Sequence, residues 1–148
     1  MDIELTRQAV PSQEYRDLIG TALCVFNSNN AFIIENILHT DSTNYNWYDL
    51  VDKESGRLLS VVAATIQAQS NKNIYQLFAD IVEMRNRIFH SFLMTDTDGE
   101  QRLATKTMVK KGNIQFVITK EYLIDFIKKN ETLCLMLDEY RDKLRAVV

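Results

Sequence analysis

Apolar residues recur at helical spacing along the first forty positions. Tyr15, Leu18, Ile19, Ala22, Val25 and Phe26 form one stripe, which Phe32, Ile33 and Ile37 continue. Pro11-Ser12 supplies a proline-assisted start. The polar run Asn27-Ser28-Asn29-Asn30 interrupts the stripe. Such side chains compete for backbone hydrogen bonds, so a kink or break is expected there. Residues 40–56 lack periodicity and predict a loop, with one aromatic helical turn around Tyr45-Asn46-Trp47-Tyr48. A second helix over residues 55–69 faces inward through Leu58, Leu59, Val62 and Ile66. A third, over residues 73–93, puts Ile74, Ile81, Ile88 and Phe92 on one line, with Leu77, Phe78 and Met84 beside it.

TDTDGEQ (95–101) ends the helical period. The runs LATKTMV and IQFVIT then flank KKGN, two β-prone stretches around a glycine turn that predict a β-hairpin. Thr119 is placed to cap a last helix ending near Arg145, with inward positions Leu123, Phe126, Ile127, Leu133, Leu137, Tyr140 and Leu144. The pattern predicts an all-α fold in a single domain over residues 1–148. It is a bundle of about four to five helices with a β-hairpin inserted before the last one. Four Gly and one Pro leave little room for a turn-rich all-β alternative.

Composition narrows the function classes. Hydrophobic residues at 46% and charged residues at 25% are the balance of a water-soluble globular chain. No apolar run reaches membrane-spanning length, and MDIELTRQAV is acidic where an export signal is basic, so a cytoplasmic protein with no membrane partner is expected. A net charge of −3 and a pI of 5.4 exclude coating of nucleic acid by bulk charge. Cys24 and Cys134 sit in apolar helical patterns and predict two reduced core thiols. His39 and His90 are the only imidazoles and there is no Cys-x-x-Cys, so neither a structural metal nor a cofactor is expected.

The chemistry concentrates in MRNRIFHSF, residues 84–92. Arg85 falls inside the apolar arc of the third helix. A guanidinium there must be paired, snorkel along the arc or reach a wet cleft. Asn86 and His90 are one turn apart on another face, and Arg87 is spaced to pair with Glu83. Taken alone, His90 fits a surface or capping histidine as well as a catalyst. Residues five apart lie about 140° apart around the axis, so a straight helix does not aim Arg85 and His90 at one point. They converge if Arg85 curls around the helix, or if a second copy faces the first across a two-fold axis. In the second case the arc around Arg85 is a dimer face.

Arg85-Asn86-x-x-x-His90 resembles the R-x4-H motif of the HEPN ribonucleases, in which Asn, Asp or His follows the arginine. The motif lies late in a long helix of a small bundle and a final long helix follows, as in that family. The likeness in sequence is confined to residues 85–92. The resemblance implies a metal-independent endoribonuclease without cofactor, acting as a homodimer whose site is shared between the two motif helices. It gives His90 proton transfer, Arg85 the scissile phosphate, and Asn86 the orienting of His90 or the phosphate. It also implies an RNA substrate, a bacterial or phage toxin or defence effector as the setting, and an antitoxin or regulatory protein as a further partner. A non-catalytic relative that binds RNA or a partner protein is the alternative. In the toxins of HEPN–nucleotidyltransferase pairs, a tyrosine two residues after the histidine is where the antitoxin acts. This chain has Phe92 there, without a hydroxyl.

A second signal lies in residues 102–120, which carry Arg102, Lys106, Lys110, Lys111 and Lys120 and no acidic residue. Two readings stand: contact with an RNA backbone, for which Arg102, Lys106, Lys110 and Lys111 are the candidates, or lysines that keep an exposed strand edge from pairing. Tyr45, Trp47 and Tyr48 fit either base stacking or the anchoring of a loop.

Overall fold

The first helix, α1 (Gln13–Thr40), opens on a cap in which the Ser12 hydroxyl accepts the Tyr15 N–H at 3.3 Å. It belongs to a computed structural model that describes residues 5–146. The helix runs without a break through Asn27-Ser28-Asn29-Asn30, where a kink or break was expected. Asn29 and Asn30 bond to other elements instead of their own backbone. Asn29 Nδ2 donates to the Asn130 carbonyl at 2.7 Å and to Asn130 Oδ1 at 3.0 Å, and Asn30 Oδ1 accepts from Ser55 Oγ at 2.9 Å. Paired in this way, buried Asn29 no longer competes with the helix.

Three shorter helices follow: α2 (Trp47–Asp52), α3 (Ser55–Ala64) and α4 (Ile66–Gln69). The single helix expected over residues 55–69 is broken at Thr65, whose backbone leaves the helical region (φ −116°, ψ −84°). Its buried hydroxyl donates back to the Val61 carbonyl at 2.7 Å, a bond that favours bending. Counting α3 and α4 as one interrupted helix gives five helices, and the chain is mostly helical. The motif helix α5 (Ile74–Phe89) buries Ile74, Phe78, Ile81, Val82 and Ile88. Its apolar arc is therefore core, packed against α3 and α6, and not the free dimer face the spacing allowed.

α5 stops short of residue 93 because the next residues pair as a strand. β1 (Phe92–Thr95), β2 (Gln101–Lys106) and β3 (Gln115–Val117) form an antiparallel sheet in the order β1-β2-β3. Phe92 lies opposite Ala104, and Ala104 opposite Val117. The expected hairpin is β2–β3, and β1 is an additional strand. TDTDGEQ is the turn that brings β1 back into β2, with Gly99 at φ +85°. The second turn holds a 3-10 segment, Val109–Lys111, then Gly112 at φ +96° and Asn113 at φ +53°. The last helix, α6 (Lys120–Ala146), is capped as expected by Thr119, whose hydroxyl accepts the Tyr122 N–H at 3.0 Å.

Helices α1 and α6 lie side by side and run parallel. Phe26 meets Phe126, Asn29 meets Asn130 and Thr40 meets Tyr140, so the register advances in step along both. The starts of both helices are therefore at one end of the bundle, where the sheet docks. Tyr15 joins them there: its buried hydroxyl donates to the Ile118 carbonyl at 2.6 Å and accepts the Leu103 N–H at 3.1 Å. α5 runs the other way, so its last turn arrives at the same end. The shared stripe buries Ala22, Phe26, Ile33 and Ile37 from α1 with Leu123, Phe126, Leu133, Leu137 and Tyr140 from α6. Cys24 lies off this stripe and is exposed, and Cys134 is half-buried, so neither is the core thiol expected.

Candidate active site

The end of α5 presents the motif. Arg85 is half-buried, with its guanidinium 4.0 Å from the Phe89 ring centroid and 5.6 Å from that of Phe26. Phe89 is one turn further on, so the i, i+4 geometry itself lays cation on ring. Arg85 Nη1 donates to Asn86 Oδ1 at 3.2 Å, while its Nε is buried without a hydrogen-bond partner. Among the described residues no carboxylate lies within ion-pair distance of Arg85. Of the three fates foreseen for this residue, ion pairing is not seen among the described residues, and the planar cation rests instead beside the Phe89 and Phe26 rings.

His90 closes the helix. Its N–H bonds the Asn86 carbonyl at 2.9 Å, and its own carbonyl accepts from the buried Thr105 hydroxyl at 3.1 Å. The backbone at His90 is thus tied to both α5 and β2. The imidazole is exposed and has no side-chain partner among the described residues. The Asn86 side chain engages Arg85, so within one protomer it does not orient His90. Arg87 forms the expected ion pair with Glu83, at 3.3 Å, and also donates to the Lys106 carbonyl at 2.6 Å, which ties the last turns of α5 to the end of β2. Nearby, burial and the Glu83 carboxylate push the Tyr122 phenol up to about 12.

The basic segment divides in two. Arg102 is clamped by Asp96 at 2.9 Å and by both Asp98 oxygens at 2.8 Å. Hydrogen bonds from Arg102 hold the Asp98 carboxyl down to about 2. Lys120 pairs with Glu14 at 2.8 Å. Both are committed within the fold, and Arg102 in particular does not join the free cations. Lys106, Lys110 and Lys111 have no acidic partner among the described residues. Of the aromatics, Tyr45 packs on the core while Trp47 and Tyr48 remain exposed on α2.

Arg85, Asn86 and His90 line none of the clefts formed by Gln69 with Tyr140, by Phe32 with Arg141, by Tyr15 with Arg102, or by Tyr45 with Leu50. The motif lies on an open surface flanked by half-exposed Phe89, Phe92 and Leu93. Among the described residues no cluster of His, Cys, Asp or Glu is arranged to hold a metal ion, and no helix is long and apolar enough to cross a membrane. Phe89 was legible from its spacing to Arg85, whereas Thr105 was not, because its bond to His90 depends on how the sheet docks. Set against family models, curated proteins and solved structures, the chain matches none.

Proposed function

We propose that the chain is a HEPN-type endoribonuclease that cuts RNA at a site completed by a second copy of itself. The observation that carries this reading is Arg85: a planar cation without a carboxylate partner, held against Phe89 on the helix that ends at exposed His90. The reaction assigned to it is attack of a ribose 2′-hydroxyl on the adjacent phosphate. The O2′–P bond forms, the P–O5′ bond breaks, and the products are a 2′,3′-cyclic phosphate and a 5′-hydroxyl. One proton leaves the 2′-hydroxyl and one is delivered to the departing 5′-oxygen. His90 is suited to this transfer because an imidazole can both accept and donate a proton. Arg85 grips the non-bridging oxygens with its fork as negative charge builds, a task for which a rigid guanidinium is preorganised. Asn86, hydrogen-bonded to Arg85, is a positioning residue for that fork.

The open site supports the need for a second copy. A protomer leaves the His90 ring without a side-chain partner among the described residues, while Phe89, Phe92 and Leu93 form an apolar border that an isologous contact would cover. A role as a cytoplasmic toxin or defence effector held by an antitoxin or regulatory protein follows from the family resemblance. The unoriented His90 ring favours one other reading, a dimeric non-catalytic module that binds RNA or a protein.

Incubation with single-stranded RNA in EDTA separates the two. The ribonuclease reading expects cleavage that survives chelation, leaves 2′,3′-cyclic ends and disappears in His90→Ala. Binding without cleavage by the wild type would establish the module instead.

A further inference from the structure

Lys106, Lys110 and Lys111, none of them in an ion pair among the described residues, sit together on one turn, Thr107 to Ile114, and at the strand end that leads into it. Three positive charges sit there, and removing them from a net of −3 leaves −6 for the rest of the chain. The turn is built to hold its shape. Gly112 and Asn113 take the left-handed conformation, Lys106 Nζ donates to Asn113 Oδ1 at 2.6 Å, and the Thr107 hydroxyl accepts the Ile114 N–H at 2.9 Å. Lys110 and Lys111 are exposed on its 3-10 segment. The partners of Lys106 are neutral, so its charge stays available to an anion. The strand that ends at Lys106 and leads into the turn is fastened to the motif helix by the Arg87–Lys106 and Thr105–His90 bonds.

We infer that this turn is a phosphate-gripping element that holds the backbone of a single-stranded RNA beside the His90 end of α5. The choice of RNA as the polyanion rests on the ribonuclease reading above. The turn carries no aromatic side chain, so it has nothing on which to stack a base. Its contribution is to affinity and not to sequence choice. Arg102 and Lys120, closed off by Asp96, Asp98 and Glu14, take no part. Val109 and Ile114, 74% and 62% exposed, flank the lysines. Aliphatic side chains beside lysines also suit an anionic lipid surface, which makes vesicles the necessary second arm of the test.

The probe is a labelled single-stranded 2′-O-methyl oligoribonucleotide of mixed sequence. It has no free 2′-hydroxyl, so binding is read whether or not the protein cleaves. Lys110→Gln/Lys111→Gln should weaken binding about tenfold at moderate salt and lower the slope of log K against log salt by about 1.4, two contacts' worth on a single strand. The loss should be the same for different base compositions, and Lys143→Gln, at the far end of α6, should change neither quantity. Wild type that fails to bind the probe, or a double variant with unchanged affinity and slope, overturns the inference. Capture by phosphatidylserine vesicles but not by the oligonucleotide also overturns it, in favour of a membrane contact. Lysine-dependent binding without cleavage of unmodified RNA would leave the turn in place and remove the catalytic reading. Cleavage with lysine-independent binding would do the reverse.

Discussion

Arg85 can be separated into its packing and its chemistry by one atom group. Arg85→Lys keeps the charge and most of the stem but loses the plane that lies on Phe89 and the fork that spans two oxygens. Folding stability should change by less than about 1 kcal/mol, since the lost stacking is only partly buried. The rate of RNA cleavage should fall on the order of a hundredfold, as when one preorganised donor is misplaced. Urea unfolding and single-turnover cleavage of the same preparation check both halves. Equal activity in the lysine variant would return Arg85 to a packing role. Tyr15 is the opposite kind of residue, a structural one whose hydroxyl ties α1 to the sheet. Tyr15→Phe strands the Leu103 N–H and the Ile118 carbonyl, and should cost about 1–3 kcal/mol by urea unfolding.

The hairpin turn between β1 and β2 stands on the Arg102 clamp, whose acid sensitivity follows from Asp98. The folded carboxyl titrates at about 2, below its unfolded value near 3.9. A depressed pKa means that its stabilising contribution is full above about 3.9 and is lost as pH falls through about 2. An NMR titration of the Gly99 and Glu100 amides should show one acid step near pH 2, and a midpoint near 4 would show that the clamp does not form. How much could be read in advance differs between such elements. α1, α5 and α6 were legible because their stripes run for several turns and the packing agrees with the period. β1 was hidden, since FLMT also continues the helical stripe of α5 and only pairing with β2 removes Phe92 from that line. The asparagine run misled for a related reason. Its local preference for breaking a helix yields to Asn130 and Ser55, partners more than twenty residues away in the chain. Arg85, Asn86 and His90 could be named from spacing, but their separation into a held cation and an unoriented imidazole depends on Phe89 and on the docked sheet.

In the whole molecule, parallel α1 and α6 bring their two starts, the sheet and the last turn of α5 to one end, where the motif and Lys106, Lys110 and Lys111 gather. That arrangement leaves Phe89, Phe92 and Leu93 exposed beside the motif, and on the proposed reading a second copy covers them and completes the site. Light scattering should therefore report twice the 17.2 kDa chain mass, and Phe92→Asp should shift the protein toward monomer while cleavage falls in proportion. The most direct test mixes two inactive proteins. Arg85→Ala and His90→Ala are each expected to be folded, dimeric and unable to cut RNA. When they are mixed and allowed to exchange subunits, half of the dimers are hybrids in which one of the two sites has Arg85 from one copy facing His90 from the other. Activity should return to about a quarter of the wild-type value. A mixture that exchanges subunits yet stays as inactive as either variant alone would contradict a site shared between two copies.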